Sequence, residues 1–196
     1  MDYDNIMVVP VDYRGVSRHM RHWLSKMPHV KYASDICSST FGGIDLLAVW
    51  RNRIADWFLH KTDKDFLLML DDDNIPLDSI GQLLDSPADV AACHFFSRGG
   101  DEGHDVDGSV SMASLKVSRR ALLQMPRPWF KFEFNENHTK MTGCECSWFC
   151  KQARSVGFHP IKIGEIAHVM KVALLPPAEA GGQCRMKFLQ DIPVKE

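Results

Sequence analysis

A chain of 196 residues is long enough for one domain with a real core, and 45% hydrophobic against 24% charged residues excludes a disordered chain. The formal net charge of -2 argues against a protein built mainly to grip a nucleic-acid backbone, although it leaves room for a local basic strip. No apolar run reaches the ~20 residues of a membrane span, and the acidic start Met1-Asp2-Tyr3-Asp4-Asn5 is not a signal peptide, so the sequence reads as intracellular and cytoplasmic.

Apolar strand-like runs alternate with helical patterns, which predicts an α/β sandwich with a mostly parallel central sheet flanked by helices. Residues 6–11 read as a first buried strand, 19–27 as a short helix and 30–33 as a second strand. Ile44, Leu47, Ile54, Trp57 and Phe58 recur at helical spacing and predict a helix over 44–60. Phe66 to Leu70 are five apolar residues, the length of a strand buried on both faces. Pro76 then reads as the first residue of a short helix whose apolar face carries Ile80, Leu83 and Leu84.

Residues 90–96 predict another strand. The glycine-rich stretch 97–108 reads either as a mobile flap or as a plain surface loop, the second carrying more weight. Residues 111–117 predict a strand and 119–125 a short helix. Glu145, Trp148, Phe149, Gln152, Ala153 and Val156 form a second helical stripe closed by Gly157. A small strand at 161–163 leads to Ala167-His168-Val169, and the tail from 176 to 182 is rich in Pro, Ala and Gly. Of six cysteines, Cys144, Cys146 and Cys150 cluster. Their C-x-C-x3-C spacing is not a usual zinc pairing, so they are expected to be reduced thiols on a half-buried helix.

Chemistry concentrates at Asp71, Asp72 and Asp73, directly after the central strand. Ligands of open α/β sheets bind beyond the carboxyl ends of strands. Three adjacent carboxylates repel one another, which raises pKa values or requires a cation. On an extended backbone Asp71 and Asp73 point the same way, so they form the expected metal pair. Hard oxygen ligands suit Mn2+ or Mg2+, and the bridging cation would bind the phosphates of a nucleotide. The plain alternative is that Asp73 or Asn74 caps the helix near Pro76, which accounts for one acid and not for three.

The segment Val49-Trp50-Arg51-Asn52-Arg53-Ile54-Ala55, followed by Asp65 to Pro76, resembles the donor half of GT-A fold glycosyltransferases. Its style is that of the small family-2-like enzymes of phages and bacteria. Gly143 to Cys150, with Ala153 and Gly157-Phe158, resembles the family's "Glu-Asp, two residues, Phe-Cys" helix start. Ala167-His168 resembles its late metal-binding histidine. The matches span most of residues 6–170. One departure stands out: the acidic pair reads Glu145-Cys146, so the acid that serves as general base in many inverting members is missing, and inversion or retention of the sugar stays open.

The resemblance implies a single glycosyltransferase domain over 1–196, with a nucleotide-sugar donor half (1–96), an acceptor and catalytic half (97–175) and a tail (176–196). It implies that Asp71 and Asp73, with His168 as third ligand, hold the metal; a satisfied core histidine is the competing reading of His168. Pro10, Val11, Asp12, Arg51 and the aspartate run from Asp71 through Asp72 to Asp73 would bind the donor, a UDP-sugar for preference. An ion pair of Arg51 with Asp65 or Asp35 weighs as much as a phosphate contact. Glu145 is the expected catalytic residue, at the open end of the cleft. Arg98 and Trp129 are weak acceptor-side candidates, Trp129 weighing more as core. A nucleotidyltransferase on a similar fold is the enzymatic rival, and a non-catalytic glycosyltransferase-like binding module the other. The acceptor is open between a glycan, a protein and a hydroxylated DNA base. Arg18, His19, Arg21, His22 and Lys26 form the basic strip that a DNA acceptor would need, and a solvated helix face is the plainer reading.

Overall fold

The apolar run Ile-Met-Val-Val-Pro-Val forms β1 (Ile6–Val11), and the run Phe-Leu-Leu-Met-Leu-Asp forms β2 (Phe66–Asp71). They pair in parallel from Ile6 against Phe66 to Val11 against Asp71. In the computed structural model, residues 3–12, 15–37, 44–96, 108–168, 172–174 and 185–187 are described, with the backbone alone at 44–46, 95, 96, 168, 172–174 and 185–187.

The remaining elements follow in order: α1 (Arg18–Leu24), α2 (Ala33–Ile36), α3 (Ile44–Lys61), β3 (Asn74–Pro76), α4 (Ile80–Asp85), β4 (Val90–Phe96), β5 (Ser114–Ser118) and α5 (Arg119–Gln124). After them come β6 (Glu133–Phe134), β7 (Met141–Gly143), α6 (Glu145–Ser155), β8 (Ile161–His168), β9 (Val172–Leu174) and β10 (Arg185–Lys187). The central sheet runs β1-β2-β5-β4-β8-β3, with separate ribbons β6-β7 and β9-β10.

The α/β class and the flanking helices are as expected, and the sheet curls. Its strands are mixed rather than mostly parallel. β1 with β2 and β4 with β8 are parallel, while β5 lies antiparallel between β2 and β4, and β3 antiparallel on β8. The alternation of strands and helices in the sequence gives no sign that β5 returns between two earlier strands. Two further expectations change. Val30 makes one parallel bridge with Val8 before the chain turns into α2, instead of extending as a strand. Pro76 ends β3, and α4 begins at Ile80 behind the N-cap Ser79.

Side chains along β2 alternate between two cores. Leu67 and Met69 join Ile54, Phe58, Leu115, Val117 and Phe149 under α3, α5 and α6. Leu68 and Leu70 join Met20, Leu24, Ile80 and Leu83 under α1 and α4. On α3 the inward face is Arg51, Ile54, Ala55 and Phe58, all buried, at the i, i+3, i+4, i+7 spacing of one helical stripe. An arginine in that stripe must find charge partners inside the protein.

Candidate active site

β2 delivers Asp71 to the carboxyl edge of the sheet beside Val11. The chain then turns at Asp72 and Asp73 before Asn74 opens β3. The run is therefore a turn and not a continued strand. Burial still alternates along it: Asp71 and Asp73 are half-buried, while Asp72 and Asn74 are buried. Neither Asp73 nor Asn74 caps a helix, since Ser79 stands at the start of α4. The capping explanation of the acids is removed.

Arg51 is the buried cation that organises this end of the sheet. Its Nη2 stands 2.5 Å from Asp71 Oδ1 and its Nη1 3.3 Å from Glu145 Oε1. Nη1 also donates to the Met112 carbonyl at 3.3 Å. The guanidinium is 1% exposed, so it serves the two carboxylates and presents no face to a ligand. Its partners are neither Asp65 nor Asp35. Burial pushes the Asp71 carboxyl up, Arg51 pulls it back, and repulsion from Asp73 and Asp72 raises it further.

Glu145 opens α6, whose N-cap is Cys144: its sulfur accepts from the Ser147 N–H at 3.4 Å. The Glu145 side chain is 5% exposed, so it lies under the site instead of facing an open cleft. Trp148 and the rest of the first turn leave Glu145 on the inward side, where Phe149, Cys150 and Ala153 are buried with it. Burial raises its pKa, Arg51 opposes that, and Asp71 and Cys144 add to the rise. Its Oε2 is buried without a hydrogen bond.

Two asparagines brace the site. Adjacent residues of a helix point about 100° apart, so Asn52 leaves the Arg51 face and ties down the segment before β6. Its Oδ1 accepts from the Trp129 and Phe130 N–H groups at 3.0 and 3.2 Å. Its Nδ2 donates to the Ala48 and Phe130 carbonyls at 2.8 and 2.7 Å. Asn74, 0% exposed, donates Nδ2 to the Ala113 carbonyl at 2.6 Å, which also accepts the Asp71 N–H at 2.9 Å. Asn74 Oδ1 takes no hydrogen bond. The sequence offered Asn74 as a helix cap, a role it does not fill, and Asn52 as part of the matched Arg51-Asn52 pair, with no sign of the contacts either one makes.

The other expected residues are placed as follows. Pro10 and Val11 are buried, so only their backbone borders the site. The Asp12 carboxylate accepts from Ser34 N at 2.8 Å and Ser34 Oγ at 2.7 Å. Trp129 is 2% exposed, its Nε1 donating to the Leu122 carbonyl at 2.9 Å. It packs the core and does not offer a ring to an acceptor. Arg98 lies outside the described residues. So does the His168 side chain, while its backbone pairs with Asn74 in the β3–β8 ladder, next in chain to Asp73.

Among the described residues no three His, Cys, Asp or Glu side chains are placed to hold a metal. The chemistry of the donor set nevertheless fits a hard divalent cation. Carboxylates crowd one turn at the sheet edge, the guanidinium is committed to Asp71 and Glu145, and Asp73 is half-buried. The sulfurs of Cys144 and Cys150 act as acceptors, Cys150 from the Val110 N–H at 3.4 Å.

No family model and no curated protein sequence matches the chain. Among solved structures, it is similar to A197 from STIV, with a TM-score of 0.51 and 16% identity over 83% of this chain and 80% of that one. A looser likeness, with a TM-score of 0.46 and 12% identity, relates 85% of this chain to 72% of glucosyl-3-phosphoglycerate synthase from Mycobacterium tuberculosis in complex with Mn2+, uridine diphosphate and glucosyl-3-phosphoglycerate. The same synthase with Mg2+ and uridine diphosphate gives 15% identity at a TM-score of 0.46. These likenesses concern the course of the backbone.

Proposed function

We propose that the protein is a metal-dependent glycosyltransferase that moves a sugar from a nucleotide-sugar donor, a UDP-sugar for preference, to an acceptor hydroxyl. One observation carries the reading. Three residues from segments far apart in sequence, Arg51 of α3, Asp71 of the aspartate run and Glu145 at the start of α6, meet in a single ion-pair cluster around the buried Arg51 guanidinium. Those are the segments in which the sequence resembles GT-A enzymes.

In this reading Asp73 and Asp71 hold Mn2+ or Mg2+, with His168 as the third ligand. When bound, that cation neutralises the departing diphosphate. The chain's own residues supply position. Arg51 fixes the Asp71 carboxylate, and the half-buried Asp73 follows it in the turn. Ser34 fixes Asp12 at the end of β1, where the nucleoside end of the donor would lie beside Asp71. Glu145 acts as a positioning residue: it holds Arg51 from below, and its burial replaces the direct role at an open cleft that its place in the motif suggested.

The test is calorimetric titration of UDP with and without Mn2+, together with UDP release from a UDP-sugar. Asp73→Ala is expected to abolish Mn2+-dependent UDP binding while leaving the fold intact by circular dichroism. Binding that ignores both chelation and this substitution would defeat the proposal. Release of pyrophosphate from a nucleoside triphosphate, with no turnover of UDP-sugars, would assign a nucleotidyltransferase instead.

A further inference from the structure

The acid-rich edge of the sheet has a basic neighbour. Arg18, Arg21, His22 and Lys26 are exposed on α1 and the turn after it. α1 contains no acidic residue. Among the described residues no acid pairs with Arg18, His22 or Lys26, and the recorded hydrogen bond of Arg21 is from Nε to the Val16 carbonyl at 3.2 Å. Several basic residues elsewhere on the surface are engaged by acids: Lys31 with Asp35, Arg120 with Asp89, Arg127 with Asp56 and Lys151 with Glu133. In a chain of net charge -2, a basic face left without acids is a local departure from the overall balance.

Its position adds meaning. The buried face of α1, Met20 and Leu24, packs with Ile80 and Leu83 of α4. α1 also packs against β3, the strand that continues from the Asp72-Asp73 turn. The strip therefore flanks the proposed site. Arg18 and Arg21 stand three residues apart on α1, and Lys26 follows in the turn after the C-cap Ser25. Clustered Arg and Lys side chains with no acid among them suit a polyanion, whose backbone phosphates Lys and Arg contact as charges.

We infer that this face of α1 docks the phosphodiester backbone of a nucleic acid, which places a nucleic-acid acceptor beside the aspartate turn. Naming that nucleic acid as the acceptor rests on the glycosyltransferase reading; the docking itself does not. The probe is a fluorescein-labelled single-stranded oligonucleotide of about 20 nucleotides, followed by anisotropy with the full chain. With Arg18, Arg21 and Lys26 as the phosphate contacts, affinity should fall roughly twentyfold between about 50 mM and about 200 mM salt.

The double variant Arg18→Glu with Lys26→Glu should lose at least about tenfold in affinity at low salt, as expected for removal of backbone contacts. The milder pair Arg18→Gln with Lys26→Gln, checked by circular dichroism, should show the same direction. No oligonucleotide binding at low salt overturns the inference. So does binding that survives both double variants, and so does binding of heparin without binding of the oligonucleotide, which assigns an anionic glycan. UDP titration with Mn2+ on the same samples separates the two ideas. Loss of UDP binding in the wild type removes the glycosyltransferase reading while the oligonucleotide result stands.

Discussion

Arg51 stands between Asp71 and Glu145, with Nη2 2.5 Å from one carboxylate and Nη1 3.3 Å from the other, and all but 1% of its side chain is out of water. A desolvated cation with one buried and one half-buried acid is held by mutual compensation, and removing one member strands the others. Arg51→Met is therefore expected to destabilise the protein by about 3 to 5 kcal/mol. Adding Glu145→Gln should return part of that loss, a coupling of about 0.5 to 3 kcal/mol in a double-mutant cycle. Urea unfolding of the wild type, both single variants and the double variant measures it. Strict additivity would mean that the two side chains do not share an interaction.

Glu145 also gives a pH signature. Burial holds its folded pKa above the ordinary value, against the pull of Arg51. Between the unfolded and folded values the folded state binds more protons, so this group's contribution to stability falls as pH rises through that interval. It is recovered as pH falls below the unfolded value. Glu145→Gln removes the titration. The stability of the wild type relative to this variant should decline as pH climbs from about 4.5, read from urea midpoints at a series of pH values. A difference that grows with pH would show a carboxyl that is stabilised in its charged form.

Lys116 is a buried cation outside the proposed site. It is 1% exposed, and its Nζ donates to the carbonyls of Leu83, Leu84 and Ser86 at 3.2, 2.7 and 2.6 Å. These lie at the C-terminal end of α4, where free carbonyls need donors. Lys116→Met should cost about 2 to 4 kcal/mol, because buried acceptors lose their donor. Burial lowers the Lys116 pKa to about 8. The unfolded chain then binds more protons between about 8 and the ordinary value, so stability from this group rises with pH across that window. The wild type should gain on Lys116→Met as pH moves upward from about 8, in thermal melts at matched ionic strength. A flat difference would mean that the ammonium stays charged throughout.

Gly164 sits at φ 72° in β8, and a Cβ there would meet the Ser79 carbonyl oxygen at 2.5 Å. The neighbouring Glu165 N–H donates to Ser79 Oγ at 3.0 Å, which fixes the close approach. Gly164→Ala combines a left-handed backbone with a clash against main chain and should cost at least about 2 kcal/mol. Alanine at Gly81, where nothing lies within 4 Å of a built Cβ, should be tolerated. Equal melting temperatures for the two variants would contradict the geometry.

Much of the frame was legible because local apolar runs decide it. Residues 6–11 and 90–96 coincide with β1 and β4, and the stripe from 44 to 60 with α3. Pro76 misled because a proline suits the first turn of a helix as well as a strand end, and only the pairing of β3 with the distant β8 decides between them. The aspartate run was visible as chemistry, but its turn was not, since the extended geometry assumed for it depends on β2 continuing. Arg51 showed itself as a candidate while its partners did not: Glu145 lies 94 positions later (145 - 51), and no local pattern points across such a distance. Lys116 left a faint mark, a single charge between Leu115 and Val117, which becomes meaningful once β5 is seen between two buried neighbours.

That placement of β5 bears on how the chain emerges during synthesis. β2 is bordered by β1 and β5, and β4 by β5 and β8. A nascent chain that has been translated only through β4 holds Leu67-Leu68-Met69-Leu70 along an unpaired strand edge, with its backbone donors and acceptors still facing water. The strip becomes a sheet interior when residues 114–118 leave the ribosome and slide between two strands already made. Premature stops or slow codons before that point should therefore yield aggregating fragments in place of a soluble amino-terminal half.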